Sequence, residues 1–503
     1  MNKTFCISCN GSQAKRYCPA LGGQICGSCC GSKRNSVISC TADCPINPFG
    51  VNNYEEWLRL DGAWGNKCVK YVAEHYPYNE YLFKSELSKY VLIEGSQDEH
   101  VVSEATPLFV HAKLFWEPFR DENCLADYWE HDGWKGLNND EQTMMVFKRM
   151  TYPAIIEIQN KVNDFSSWCI DMLDQEREPF IVFDRSLVAN HDRFSRSVNL
   201  VCRFPHYYRV GPTGFTLQHE LTEPFVEKMK IVSAQQGVSV REYMQKHFVE
   251  ACRLVYEMGR RHLDSMIDSL DINEWKAIYK LNISRDEAAK VLSMKPEFLP
   301  EESETEDVME YSWLRKGESK KLEKKMPVLF RHGDEDSGVG ILGRLRLLCD
   351  TLEVIAFGAQ KFGFAKKMIE KYLGACITFR METENNLKDD LRNRMSERNQ
   401  QGAETTIEET AEKENEIPPE IKAEVLNNFY EQHYRQFIDS PLPALENKTP
   451  RQATGNKRLR PKLIDIMKLH LHGIEERNRE DPSLNLNIDW VIDELGLEEL
   501  KRR

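Results

Sequence analysis

Cys6, Cys9, Cys18, Cys26, Cys29, Cys30, Cys40 and Cys44, eight of the chain's fifteen cysteines, fall within its first forty-five residues among Gly, Ser, Pro and basic side chains. A segment with so few large apolar residues cannot bury a core of its own, so something other than hydrophobic burial has to fold it. Paired Cys-x-x-Cys steps point to a metal, and zinc is the ion such thiolate sets take. Cys6/Cys9 and Cys26/Cys29 each bring two thiolates to one side of a tight turn, as tetrahedral coordination by four sulfurs requires. Cys18, Cys30, Cys40 and Cys44 suffice for a second ion. Their interleaving with the first set suggests a cross-braced pair of Zn2+ sites, although spacing leaves the division of the eight open. Gly22, Gly23, Gly27 and Gly31 suit a chain that wraps an ion and needs backbone free of side-chain bulk.

Within residues 1–50, Lys3, Lys15, Arg16, Lys33 and Arg34 face Asp43 alone. Eight thiolates and two Zn2+ would bring that segment to neutrality, so its basic residues read as neutralisers of sulfur before they read as nucleic-acid contacts. A disulfide knot is the main alternative, because cysteine-dense small domains are commonly secreted. The opening Met1-Asn2-Lys3-Thr4-Phe5-Cys6 carries no apolar signal segment, and the other seven cysteines are mostly far apart. Ferredoxin-type spacing is absent as well. A net charge of −13 over 503 residues argues against a general nucleic-acid coat, which needs a basic field to release counterions. No apolar run approaches the roughly 18–20 residues that span a bilayer, so the expectation is a cytoplasmic protein with no membrane partner.

The run Tyr17-Cys18-Pro19-Ala20-Leu21-Gly22-Gly23-Gln24-Ile25-Cys26-Gly27-Ser28-Cys29-Cys30-Gly31-Ser32-Lys33-Arg34, followed by Ile38-Ser39-Cys40 and Asp43-Cys44-Pro45, resembles the N-terminal cysteine-rich region of a family of largely uncharacterised bacterial zinc-binding proteins. The run from Asp439 to Ala453, with Pro441-Leu442-Pro443-Ala444-Leu445 and Lys448-Thr449-Pro450-Arg451-Gln452-Ala453, resembles a motif at the C-terminus of the same family. The resemblance implies zinc binding, brings no established catalytic activity, and points to a bacterial regulatory, stress or defence pathway. Physically, the C-terminal motif reads as an extended entry set by prolines, with Leu445 as anchor and Thr449 capping a helix that begins at Pro450.

Between these ends the length allows about three domains. The pattern predicts an α+β, predominantly helical chain: a cysteine-rich zinc module over 1–50, a mainly helical central domain with short strands over 51–300, a charged linker or loop over 301–327, a β-β-α-β unit over 328–382, an acidic flexible linker over 383–417, and a helical region over 418–503. Trp57, Trp64, Trp116, Trp129, Trp134 and Trp168 mark residues 54–175 as rich in packing rings. Short strands are expected at 178–183, 199–204 and 214–218. The spacing of Ile341 to Leu347, Leu352 to Phe357, Phe362 to Leu373 and Ala375 to Phe379 marks out the strand–strand–helix–strand unit.

Other groupings carry less chemistry. His219-Glu220 opens like a zincin motif, but position 223 is Glu where the second His would stand. Asp184, His191 and Asp192 can be drawn as an acid–base cluster, yet no nucleophile accompanies them. Ser284 to Glu287 is a capping box opening a short helix. The segment 282–300 resembles the first part of a helix-turn-helix, but acids stand where phosphate contacts are needed. The basic cluster Lys457 to Lys462 is a candidate phosphate contact, and His470 and His472 project to nearly opposite sides of one helix. With no phosphate-cradling loop, paired catalytic carboxylates or activated nucleophile, the sequence reads as a non-catalytic zinc adaptor that binds another protein. The alternative is a DNA-binding regulator using residues 282–300 or the zinc module.

Overall fold

The computed structural model describes residues 5–92, 99–174, 176–301, 308–316, 339–389, 391–392 and 419–501. The chain divides into two compact units, Met1–Gly259 with Lys413–Arg503, and Arg260–Glu412.

At the centre of the first unit is a closed five-stranded barrel, in the order Tyr152–Asn163, Ser166–Asp171, Phe180–Phe183, Tyr208–Thr216 and Arg196–Arg203. Alternate residues Ala154, Ile156 and Ile158 pack with Cys169, Val182 and Val201 in one buried cluster. Ile155, Val198, Leu200 and Cys202 belong instead to a larger core shared with the surrounding helices. The closed barrel leaves no room for a side chain at Gly214, where a Cβ would stand 2.1 Å from Asn199 Oδ1 and 3.0 Å from Val198 O. Helix Tyr54–His75 starts with Glu55 and Glu56 in its first turn, favourable at the positive end of the helix dipole. It buries Trp57, Trp64, Cys68 and Val72, which recur at helical spacing. Helix Asn139–Arg149 is held at its start by a capping box of Asn138 and Glu141. Trp129 and Trp134 join the same core, whereas Trp168 is exposed.

The C-terminal segment belongs to this unit. Helix Arg460–Glu480 buries Leu463, Met467, Leu471 and Ile474 with Leu445, Val491 and Ile492. Thr449 caps the helix Pro450–Thr454 in a box with Gln452, Pro450 stands in its first turn, and Leu445 is buried, as the motif's composition implied. Glu157, fully buried, accepts from Arg196 Nε and Lys468 Nζ, each at 2.6 Å, and so joins a barrel strand to this helix.

The second unit carries a six-stranded sheet in the order Phe298–Glu301, Met309–Lys316, Val339–Leu347, Thr351–Phe357, Glu274–Leu281, Ile377–Asn385, with every neighbouring pair antiparallel. Helices Arg285–Ser293 and Ala359–Leu373 contribute Ala288, Leu292, Phe362, Ala365 and Ile369 to a core with Ala277, Tyr279, Leu345, Leu352 and Val354.

The expected α+β, predominantly helical class with only short strands in its central body is corrected: the fold is mixed α and β, with a closed five-stranded barrel and a six-stranded sheet. Several strands lie outside the expected set, two of them for clear physical reasons. Ala154-Ile155-Ile156-Glu157-Ile158 is buried on both faces, so it shows no alternation. Glu274–Leu281 falls within the mainly helical domain expected to extend to residue 300, yet it lies between Thr351–Phe357 and Ile377–Asn385, inside the expected β-β-α-β unit. Within the expected charged linker 301–327, Met309–Lys316 is a strand; residues 302–307 and 317–338 lie outside the described residues, as does most of the acidic tether, 393–418.

Candidate metal centre

The N-terminal module is built from two knuckles around a small hairpin. Strands Arg16–Cys18 and Gly23–Ile25 pair with Tyr17 opposite Gln24. The segment Cys6–Asn10 turns back on itself, Asn10 N–H donating to Cys6 O at 2.8 Å, and docks on the hairpin through Ile7 N–H to Gln24 O at 2.8 Å. Asn10 takes the positive φ of 54° that this turn requires, a conformation asparagine tolerates. The second knuckle opens the helix Gly27–Lys33, with Cys26 as N-cap: its sulfur accepts from Cys29 N–H at 3.4 Å. Lys33 reaches back from that helix to Ser8 Oγ at 2.9 Å, tying the knuckles together.

Cys6, Cys9, Cys26 and Cys29 converge, all four Sγ atoms lying within 4.8 Å of one another. A zinc tetrahedron with bonds of about 2.3 Å has S–S edges of about 3.8 Å, so the quartet fits a tetrahedral ion after small closure. Cys6, Cys26 and Cys29 are buried and Cys9 is exposed. Burial works to raise the Cys6 thiol, but N–H groups of Cys26, Ser8 and Cys9 outweigh it and hold the group down at about 6. The N–H groups of Gly11 and Ser12 lower Cys9. Cys29 is pushed up to about 11, first by sharing a proton with Cys26 and then by burial. Close sulfurs thus compete for protons, and a divalent cation relieves that competition.

Cys18, Cys30, Cys40 and Cys44 are not drawn into a comparable set: among the described residues, the spacing of metal ligands is met by the first quartet alone. Cys18, Cys30 and Cys44 are buried and Cys40 is half-buried. Burial raises the Cys40 thiol against the Asn35 N–H, and the sulfurs of Cys44, Cys18 and Cys30 add to the rise. Arg16 Nη1 stands 3.9 Å from Cys30 Sγ.

The module is fastened to the body at several polar points. Arg34 Nε donates to Asp140 Oδ1 at 2.7 Å, Asn139 Nδ2 to Arg34 O at 2.9 Å, and Ser36 Oγ to Asn139 Oδ1 at 2.8 Å. His206 Nε2 lies 2.9 Å from Cys40 O.

The other sequence candidates do not assemble. Asp184 caps the helix Arg185–Asn190 and faces Arg209 at 3.7 Å, whereas Asp192 pairs with Lys161 and Arg479 at 3.2 Å each. Residues 284–287 do form a capping box, but Phe298–Glu301 is a strand where a recognition helix would stand. In the basic cluster, Arg458 pairs with Glu446 and Arg460 with Glu499. What sequence reasoning missed is the module's outer surface, where Phe5, Ile7, Tyr17, Leu21 and Val37 are 39–76% exposed. Apolar residues scattered between cysteines carry no periodic signal that distinguishes exposure from burial. No protein-family model, curated protein or solved structure matches the chain. No helix among the described residues is long and apolar enough to cross a membrane.

Proposed function

We propose that the protein is a non-catalytic, zinc-stapled adaptor whose N-terminal module binds another protein. The carrying observation is the pairing of a four-cysteine set with a solvent-facing apolar skin on the same small module. A metal held by four thiolates keeps no open position for water or substrate, the mark of a structural site. Exposed large apolar side chains gathered on one small module are surface that a partner would cover. Phe5, Ile7, Tyr17 and Leu21 sit on or beside the hairpin that the ion would brace. The ion at Cys6, Cys9, Cys26 and Cys29 is Zn2+ in this reading. A second Zn2+ is taken by Cys18, Cys30, Cys40 and Cys44. The setting is the cytoplasm of a bacterium.

The test combines metal content with partner retention. Elemental analysis of chain purified without chelator is expected to return two zincs, while one would confine the metal to the first quartet and none would remove the basis of the reading. An Ile7→Ser/Tyr17→Ser variant with unchanged zinc content should lose a polypeptide that the wild type retains in stoichiometric amount from its own cells. Equal retention rejects the surface. Titration with a DNA duplex across salt concentrations should show no binding that falls steeply with salt; such a fall would favour a nucleic-acid partner instead.

A further inference from the structure

Between helix Tyr54–His75, helix Glu99–Phe115 and the barrel strands Arg196–Arg203 and Tyr208–Thr216 lies a cavity of about 450 Å³, within the range of small-molecule sites. Its inner wall is buried and mostly apolar, formed by Trp64, Cys68, Leu108, Leu114, Leu200 and Cys202. At its rim stand the exposed Gly62, Val69 and Pro107. Glycine is a poor helix former, yet Gly62 and Gly65 both lie inside a 22-residue helix and line the cavity, and a Cβ at either would meet no atom within 4 Å. Close packing demands neither, and their missing side chains leave the mouth open.

The charges on the wall are already matched to each other. Asp61 and Lys148 line the cavity together, and the Lys148 ammonium stands 3.0 Å from Asp61 Oδ1 and 5.4 Å from the ring centroids of both Trp57 and Trp64. Burial, and then the Lys148 charge, push His111 down to about 3, so its imidazole stays neutral. Burial likewise raises the thiols of Cys68 and Cys202. A charged ligand would give up its hydration here and meet no free opposite charge among the lining residues, so the wall favours an uncharged one.

The same wall holds two buried polar atoms with no hydrogen-bond partner among the described residues, Trp64 Nε1 and His111 Nε2. Buried polar groups are almost always hydrogen-bonded, and both side chains line the cavity, so its contents are the partner within reach. An indole N–H only donates, which calls for an acceptor oxygen. A neutral imidazole nitrogen accepts or donates according to its tautomer. A hydroxyl group satisfies either.

We propose that this cavity binds a small uncharged alcohol with an aromatic or branched aliphatic body, its hydroxyl oxygen accepting from Trp64 Nε1 and its body against Leu108, Leu114 and Leu200. The reading is independent of the metal module.

Calorimetric titration of the full-length, metal-loaded chain with 4-phenylbutanol tests it, with butylbenzene, 4-phenylbutyrate and 4-phenylbutylamine as apolar, anionic and cationic counterparts. The alcohol should bind saturably at one site per chain, at least as tightly as butylbenzene and roughly tenfold or more tighter than either ion. On a wall without polar partners the unpaired hydroxyl would instead put the hydrocarbon ahead by roughly tenfold. Trp64→Phe removes the indole N–H and keeps an aromatic wall, so it should weaken the alcohol roughly tenfold and leave butylbenzene nearly unchanged, reversing their order. Val69→Trp, at an exposed rim position, narrows the mouth without touching the inner wall; it should weaken both probes and carries the test should Trp64→Phe misfold. No saturable binding of the alcohol up to its solubility limit, an ion that binds as tightly, butylbenzene ahead of the alcohol in the wild type, an equal loss of both probes in folded Trp64→Phe, or binding unchanged by Val69→Trp would overturn the proposal.

Discussion

Glu157→Gln keeps volume and shape while deleting one buried charge. The carboxylate is fully buried; its Oε2 accepts from Arg196 Nε, and its Oε1 from Lys468 Nζ and, at 2.8 Å, Gln159 Nε2. Arg196 also reaches the exposed Asp465 at 2.9 Å, so it keeps a partner after the change. Lys468 is nearly buried, and among the described residues Glu157 is its only paired carboxylate. Removing one member of a buried pair leaves the other charge uncompensated and costs about 3–5 kcal/mol. Most of that loss should be carried by Lys468. Glu157→Gln/Lys468→Met, which removes both charges, should therefore recover most of it. Burial works to raise the Glu157 carboxyl, but Lys468 and Arg196 hold it below its ordinary value. Its stabilising contribution is thus complete above the unfolded-state pKa of about 4.3 and is lost as pH falls through the lower folded value. The wild-type advantage over Glu157→Gln should accordingly be constant near neutrality and shrink below about pH 4. The assay is urea denaturation followed by amide exchange in Tyr152–Asn163 and Arg460–Glu480 at several pH values. A loss under about 1 kcal/mol, or a double variant less stable than the single one, would falsify the assignment of a charge-compensated junction.

Three further outcomes follow from the same geometry. Chelation should strip amide protection from residues 5–48 and leave the barrel strands protected, because zinc contributes on the order of 10–16 kcal/mol to modules of this kind; the readout is hydrogen exchange before and after chelator. Cys26→Ser removes both a ligand and the N-cap sulfur of Gly27–Lys33 and should lose the first metal, whereas Cys349→Ser, at an exposed position far along the chain, should leave metal content unchanged. Gly214→Ala places a methyl group against Asn199 Oδ1 and Val198 O, and should lower unfolding stability by about 1–3 kcal/mol or more, since a closed barrel has little room to relax.

Legibility from sequence followed the range of the interaction. The capping boxes at Ser284 and Thr449 and the run from Phe362 to Leu373 are decided within a few residues, and they stand where the local pattern places them. The barrel is not local. Tyr152–Asn163 falls in the domain expected to be mainly helical and shows no strand alternation because both its faces are covered, and Glu157 looks like a surface residue until Arg196 and Lys468 meet it from 39 and 311 positions away. Glu274–Leu281 is separated from its neighbour Ile377–Asn385 by most of the second unit, so nothing near it in sequence marks it as a central strand.

The same distinction orders the metal centre. Cys6/Cys9 and Cys26/Cys29 are two local knuckles that need only one long-range step, the docking of Ile7 on Gln24, to bring four sulfurs together. Cys40 and Cys44 have no Cys-x-x-Cys partner, and their segment is set by the body through Arg34 with Asp140 and through His206 at Cys40 O. Any second ion must therefore work against, or with, a surface outside the module. An ion that closed Cys40 and Cys44 onto Cys18 and Cys30 would pull on those same contacts, so Asp140→Asn should loosen the module's attachment and alter the affinity of the second metal while sparing the first. Unequal effects on two zincs, measured by stepwise metal release, would separate a site made by local sequence from one completed by the fold.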